Sequence, residues 1–196
     1  MNYLAHSFLS FANEPILFGQ FIADDIKGSQ WKTWPPNIQQ GILLHRFIDD
    51  FTDNHPLLLE LRKRLHPTLG KFAGVVLDVL FDHALSLRWE QHSKLSREEW
   101  IQNTYLQLQQ RYHEMSEKRK FILSAMIRHD WMNMYGTAEG TSQILQQMSR
   151  RISLDNPLHS SFKAFETHQT DILSAFDEFF PEILFKSRRK LDIFAP

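Results

Sequence analysis

Residues 41–56 read GILLHRFIDDFTDNHP, and they decide the fold. Apolar residues recur at spacings of three and four, as in a helix packed on a core. On that helix His45, Asp49 and Asp53 stand four residues apart and project from one face, flanked by Ile42, Leu43, Phe47, Ile48 and Phe51. One imidazole and two carboxylates on successive turns can grip a divalent cation. The same pattern also describes an ordinary solvated helix face.

Along the rest of the chain the helical spacing repeats, and alternating strand-like runs are few. Helices are predicted at Asn2–Ala12 and from Ile16 to Ile26, the second closed by Gly28. The central helix spans Ile38–Asp53 with Asn37 as N-cap, and Pro56 ends it. Further helices are expected at Leu57–Leu65, stopped near His66-Pro67, and at Lys71–Glu90. Ser96 followed by Glu99 is a capping box opening a helix to Tyr112. Others follow from Ser116 through Trp131 and at Ile144–Arg151, with a turn bracketed by Gly136 and Gly140. Ser160–Phe180 and Glu182–Leu191, divided by Pro181, complete an all-α single-domain bundle over residues 1–196.

Composition agrees with a globular chain: 42% hydrophobic and 23% charged residues, with 16 Phe and 5 Trp to fill a core. No apolar run is long enough to span a bilayer, so no membrane association is expected. The absence of cysteine excludes disulfides, thiolate metal sites and cysteine nucleophiles, and cytoplasmic location is the simplest expectation. A net charge of −1 gives no global basic field for nucleic acid. Basic clusters nevertheless occur at Arg62-Lys63-Arg64, Lys118-Arg119-Lys120, Arg150-Arg151 and Arg188-Arg189-Lys190, the bland reading being solvated helix ends.

Acids and histidines gather on several helices. His6 lies on the first, and Asp24 in the last turn of the second, where the helix end disfavours an acid. Asp78 and Asp82 share a face within an apolar run, and desolvating them costs several kcal/mol per ion unless a cation compensates. That cation is either a metal or an arginine such as Arg46 or Arg88. Taken together, the groups on separate helices point to a bundled oxygen-and-nitrogen site for Mn²⁺, Mg²⁺ or Fe²⁺. The dipeptide His129-Asp130 sits among core-like neighbours and is left out.

The start MNYLAH, the segment FIADDIKG, the run GILLHRFIDDFTDNHP and the block LDVLFDHALSLRW together resemble the acyl carrier protein phosphodiesterase family. WMNMYG and ILQQMSRR extend the likeness into the second half. The resemblance implies an α-helical relative of the HD-type phosphohydrolases. It also implies hydrolysis of the phosphodiester between 4′-phosphopantetheine and a serine of acyl carrier protein, with a divalent cation, Mn²⁺ favoured.

On that resemblance, Asp24, His45, Asp49, Asp78 and Asp82 are the expected metal ligands, and Arg46 a phosphate contact. His6 and His83 are expected as ligands or as proton donors to the departing serine oxygen. Asp53 takes a supporting or capping role, and Asp50 faces away. The acidic carrier protein would meet a basic rim, expected first at Arg62, Lys63 and Arg64 and second at Arg150-Arg151. Two other readings stand beside this one: an HD-type hydrolase of a nucleotide or small phosphoester, and a non-catalytic module binding carrier protein.

Overall fold

The computed structural model describes residues 1–153 and 155–194, and every regular element among them is helical. Helix α1 (Tyr3–Phe8) is shorter than expected because Phe11 and Ala12 take left-handed φ values of 54° and 56°. Helix α2 (Glu14–Ile22) also stops early, in a 3₁₀ turn at Ala23–Asp25 that turns Asp24 and Asp25 out of the helix line. Helix α3 (Pro36–Asn54) begins on Pro36 with Pro35, not Asn37, in the N-cap position. A proline at the first helical position lacks an N–H that would have had no partner anyway.

Two prolines expected to stop helices lie inside them. Helix α4 (Pro56–Leu69) passes through Pro67, and the last long helix, Phe162–Phe194, passes through Pro181. Both prolines are exposed, and so are Lys63 and Asp177, whose carbonyls lose their partners to them. Water can satisfy those carbonyls, so each helix continues. The irregularity in the long helix is instead at His168 (φ −116°, ψ 23°).

Between these, α5 (Ala73–Leu87) and α6 (Trp89–His92) part at Arg88, where a single helix was expected. Helix α7 (Arg97–Gln110) opens on the Ser96 hydroxyl, which accepts the Glu99 N–H at 3.1 Å as the capping box requires. Helices α8 (Glu117–Arg128) and α9 (Trp131–Met134) are separated by Asp130, which is left-handed at φ 48°. Helix α10 (Ala138–Arg150) takes Gly140 into its first turn, capped by Thr137. Gly140 is needed there because the Met134 carbonyl packs where a side chain would stand. The Phe162–Phe194 helix is α11.

Helix α11 covers α3, α4 and α5, and Phe179 carries much of that contact, its ring 5.8 Å from both Phe51 and Phe81. Full burial of such rings contributes about 1.5–3 kcal/mol each. Helices α2 and α3 approach still more closely, with Gly19 against Gly41. No helix among the described residues is long and apolar enough to cross a membrane.

Candidate metal centre

The α2–α3 crossing brings the end of α2 beside the third turn of α3, and α1 packs on α2 and α5 with His6 reaching His45. His45 Nε2 is 3.2 Å from Asp24 Oδ1 and 3.1 Å from Asp49 Oδ2. The other Asp49 oxygen is 3.2 Å from His6 Nε2, so one carboxylate spans the two imidazoles. The rings of His6 and His45 stack with centroids 4.3 Å apart. Donor atoms of His6, His45 and Asp49 all lie within 4.8 Å of one another, on one wall of a cavity of about 430 Å³.

His6 is oriented from behind. Gln20 is buried, and its amide N–H₂ donates to the His6 carbonyl and to Ser10 Oγ, both at 2.9 Å. Those bonds turn Gln20 Oε1 towards His6 Nδ1, 2.9 Å away. Nδ1 must then carry the proton, which leaves the Nε2 lone pair facing Asp49. A ligating histidine is held in this way when its far nitrogen donates to an acceptor outside the site. His45 Nδ1 is buried without a partner, so the position of that ring is set at Nε2.

Arg119, on α8 and 2% exposed, closes the cluster by donating to Asp24 Oδ2 at 2.7 Å. Its Nε reaches Asp25 Oδ2 at 3.4 Å as an ion pair without hydrogen-bond alignment. Burial alone would lower the His45 pKa, but hydrogen bonds and charge from Asp24 and Asp49 override it and raise it to about 9. The hydrogen bond from His45 holds Asp24 well below the usual carboxylate range, aided by Arg119. For Asp49, burial pushes upward, and the hydrogen bond from His45 leads the contacts that more than reverse it. His6 is lowered, chiefly by burial and then by the charge of His45. A proton on His45 thus sits between two carboxylates, where a cation would bind. Two imidazole nitrogens, carboxylate oxygens and no thiolate fit a divalent ion of intermediate or hard character.

The family profile described as Acyl carrier protein phosphodiesterase matches residues 1–183. The chain belongs to the acyl carrier protein phosphodiesterase family. Proteins of that name in Photorhabdus laumondii and Enterobacter sp. (strain 638) are 28% and 29% identical to it. The alignments cover 97% of this chain and 96% and 99% of those relatives. One from Escherichia coli K12 is 29% identical over 97% of this chain and 99% of its own. No solved structure matches the chain.

In this family member the expected ligands on α5 have other partners. Asp78 accepts the Met1 amino group at 2.8 Å while lining the same cavity. Asp82, fully buried, accepts the backbone N–H groups of Asn2, Leu4 and Ala5 at 3.1, 2.8 and 3.2 Å. Burial nonetheless pushes its carboxyl up to about 7. The charge that faces these acids is therefore the start of the chain, not Arg46 or Arg88. Arg88 pairs with Asp177. Arg46 donates to the carbonyls of Ile26 and Gly28 and stands at the outer mouth of the site. His83 faces the Tyr135 carbonyl at 2.7 Å, with the rings of Phe162 and Phe165 edge-on to it.

The basic cluster on α4 is neutralised locally. Arg62 donates to Asp53 at 2.7 Å, Lys63 lies near Glu60, and Arg64 near Glu60 and Asp171. Arg151 stacks over Trp131 instead of flanking the metal cluster. Asp50 is exposed and binds Asn54. Sequence reasoning missed Arg119, hidden in a charge run that looked solvated. It also missed Gln20, although a lone amide within ILFGQFIA carries the same signal as acids in an apolar run.

Proposed function

We propose that this protein is a divalent-cation-dependent hydrolase of the phosphodiester joining 4′-phosphopantetheine to a serine of acyl carrier protein. One observation carries the reading. His6, His45 and Asp49 converge within 4.8 Å in a chain whose relatives bear the name acyl carrier protein phosphodiesterase. Asp24, against His45, adds a fourth ligand, and the carboxylate content suits Mn²⁺ first, with Mg²⁺ or Fe²⁺ as alternatives. Such a cation, when bound, supplies a water of lowered pKa and neutralises phosphate oxygens.

The protein's own residues do the rest. Gln20 fixes the His6 tautomer, Asp49 holds both imidazoles, and Arg119 aims Asp24 while adding a fixed positive charge at the wall. Asp78 and Asp82 hold residues 1–5 in place, and so position α1 and His6. Hydrolysis forms a bond from water oxygen to phosphorus and breaks the bond from phosphorus to the serine oxygen, which takes a proton. Tyr3 lines the cavity, and burial raises its hydroxyl, so it stays protonated and can donate that proton. The products are apo-carrier protein and 4′-phosphopantetheine.

The test compares holo-carrier protein with a generic aryl phosphodiester before chelation, after it, and after Mn²⁺ is restored. Mn²⁺-dependent release of 4′-phosphopantetheine, with the aryl ester turned over far more slowly, is expected. Activity unchanged in chelator contradicts the cation, and preference for the small ester contradicts the substrate.

A further inference from the structure

The mouth of the metal cluster is a second, more open cavity of about 530 Å³, lined by His45, Asp24 and Asp49 and by Lys27, Arg46, Lys118, Arg119 and Ile122. Two cations at its rim, Lys27 and Arg46, differ from those on α4. Lys27 and Arg46 bond to backbone carbonyls and not to carboxylates, so their charge is available outward. Lys118, 69% exposed, pairs with Asp25 at 3.3 Å much as Lys63 pairs with Glu60, so Lys27 and Arg46 carry the difference.

Helix α8 forms one bank of this mouth, and its two faces differ. Arg119, Leu123 and Met126 are buried. Three and four residues on from Lys118, on its side of the helix, come Phe121 and Ile122. Phe121 is 73% exposed and, though not part of the cavity lining, stands on the outer side of α8 one turn from Lys118. The surface thus combines lysine and arginine on both banks with a projecting apolar residue on one.

We propose that Lys118, Phe121 and Ile122 of α8, with Lys27 and Arg46 across the mouth, form the docking surface for an acidic protein. Its occupant is the carrier protein, and the proposal rests on the function given above. Carrier proteins are small and strongly acidic, so the rim cations steer the encounter and Phe121 anchors it beside the scissile phosphodiester. The arrangement replaces the α4 cluster Arg62, Lys63 and Arg64, whose charges are met by Asp53, Glu60 and Asp171.

Apo-carrier protein is the probe, since it presents the protein surface without a bond to cleave. Its Kd is measured by calorimetry against the Mn²⁺-loaded wild type, Lys27→Glu and Phe121→Ser, at low and high salt. Both substituted side chains are exposed, so both variants are expected to fold, and circular dichroism checks it. The expected result is a Kd raised at least fivefold by each variant, with a shallower salt dependence for Lys27→Glu. A wild type that cleaves holo-carrier protein but whose Kd neither variant moves overturns the docking surface and leaves the function intact. Loss of binding on Arg64→Glu with Lys27→Glu unaffected also overturns it, in favour of α4. A wild type that neither binds nor cleaves carrier protein overturns the function and the surface together.

Discussion

Gly19 and Gly41 lie face to face where α2 crosses α3, and neither position has room for a side chain. A Cβ on Gly19 would stand 2.8 Å from the Gly41 Cα and against the Ile38 carbonyl. One on Gly41 would stand 2.9 Å from the Gly19 Cα and against the Ile16 carbonyl. The obstructing atoms are backbone, so they cannot swing away. This contact sets the spacing of Asp24 and His45, because Asp24 follows Gly19 by five residues and His45 follows Gly41 by one helical turn.

Gly41→Ala is therefore expected to destabilise the fold although alanine is the better helix former. Overpacking of this kind costs about 1–3 kcal/mol, against which helix propensity returns under about 1 kcal/mol. Mn²⁺ affinity should fall as well, as Asp24 moves from His45. Thermal melts with and without Mn²⁺ measure both effects, and a higher melting temperature for the variant contradicts the crossing described here.

Gln20→Leu should fold, because it replaces one buried side chain by another of similar size, but it removes the acceptor at His6 Nδ1. Loss of such an outer partner lowers metal affinity about 10–100-fold. In the metal-free variant, nitrogen NMR of His6 should show a mixture of tautomers where the wild type shows the proton on Nδ1 alone. Gln20→Glu keeps an acceptor and should retain the single tautomer.

In the proposed site a proton and a cation would compete for one place, and the metal-free protein should carry a pH signature. The folded pKa of His45, about 9, lies above its ordinary value of 6.5. Its stabilisation is fully present below about pH 6.5 and is lost as pH rises through about 9. Asp24 and Asp49 are depressed, so their contribution is present above the ordinary carboxylate range and lost as pH falls below it. His45, Asp24 and Asp49 together contribute most between these windows, while Mn²⁺ affinity rises with pH until His45 has lost its proton. Melting temperature against pH for wild type and His45→Ala checks the sign, since the alanine variant should lose the decline between pH 6.5 and 9.

Asp82→Ala leaves three amide N–H groups, two of them buried, without their acceptor, and each buried unmet group costs about 1–3 kcal/mol. A large fall in thermal stability is expected. Asp82→Asn, which keeps an acceptor oxygen, should fall less and hold Mn²⁺ within about threefold of wild type. Loss of Mn²⁺ binding in a stable Asp82→Asn protein would make Asp82 a ligand.

These residues show what could be read from the chain. Helical periodicity survives in sequence because burial imposes it locally, and the stripe of His45 and Asp49 lies within a single helix. The environment of Asp78 and Asp82 was legible as a need for compensation, but the compensating groups lie some 80 positions away, at Met1, Asn2, Leu4 and Ala5. Arg119 was hidden for the same reason, since its partner Asp24 is separated by 95 positions. Pro67 and Pro181 misled because a proline's effect depends on whether the carbonyl it frees meets water. That is a property of the packed molecule.

The most direct measurement is the intact mass of holo-carrier protein after incubation with Mn²⁺ and either wild type or His45→Ala. Wild type should convert it to the apo mass, with 4′-phosphopantetheine in the filtrate, and His45→Ala should leave it unchanged while remaining folded. A holo mass that persists with the Mn²⁺-loaded wild type, or apo product formed equally by His45→Ala, contradicts the account.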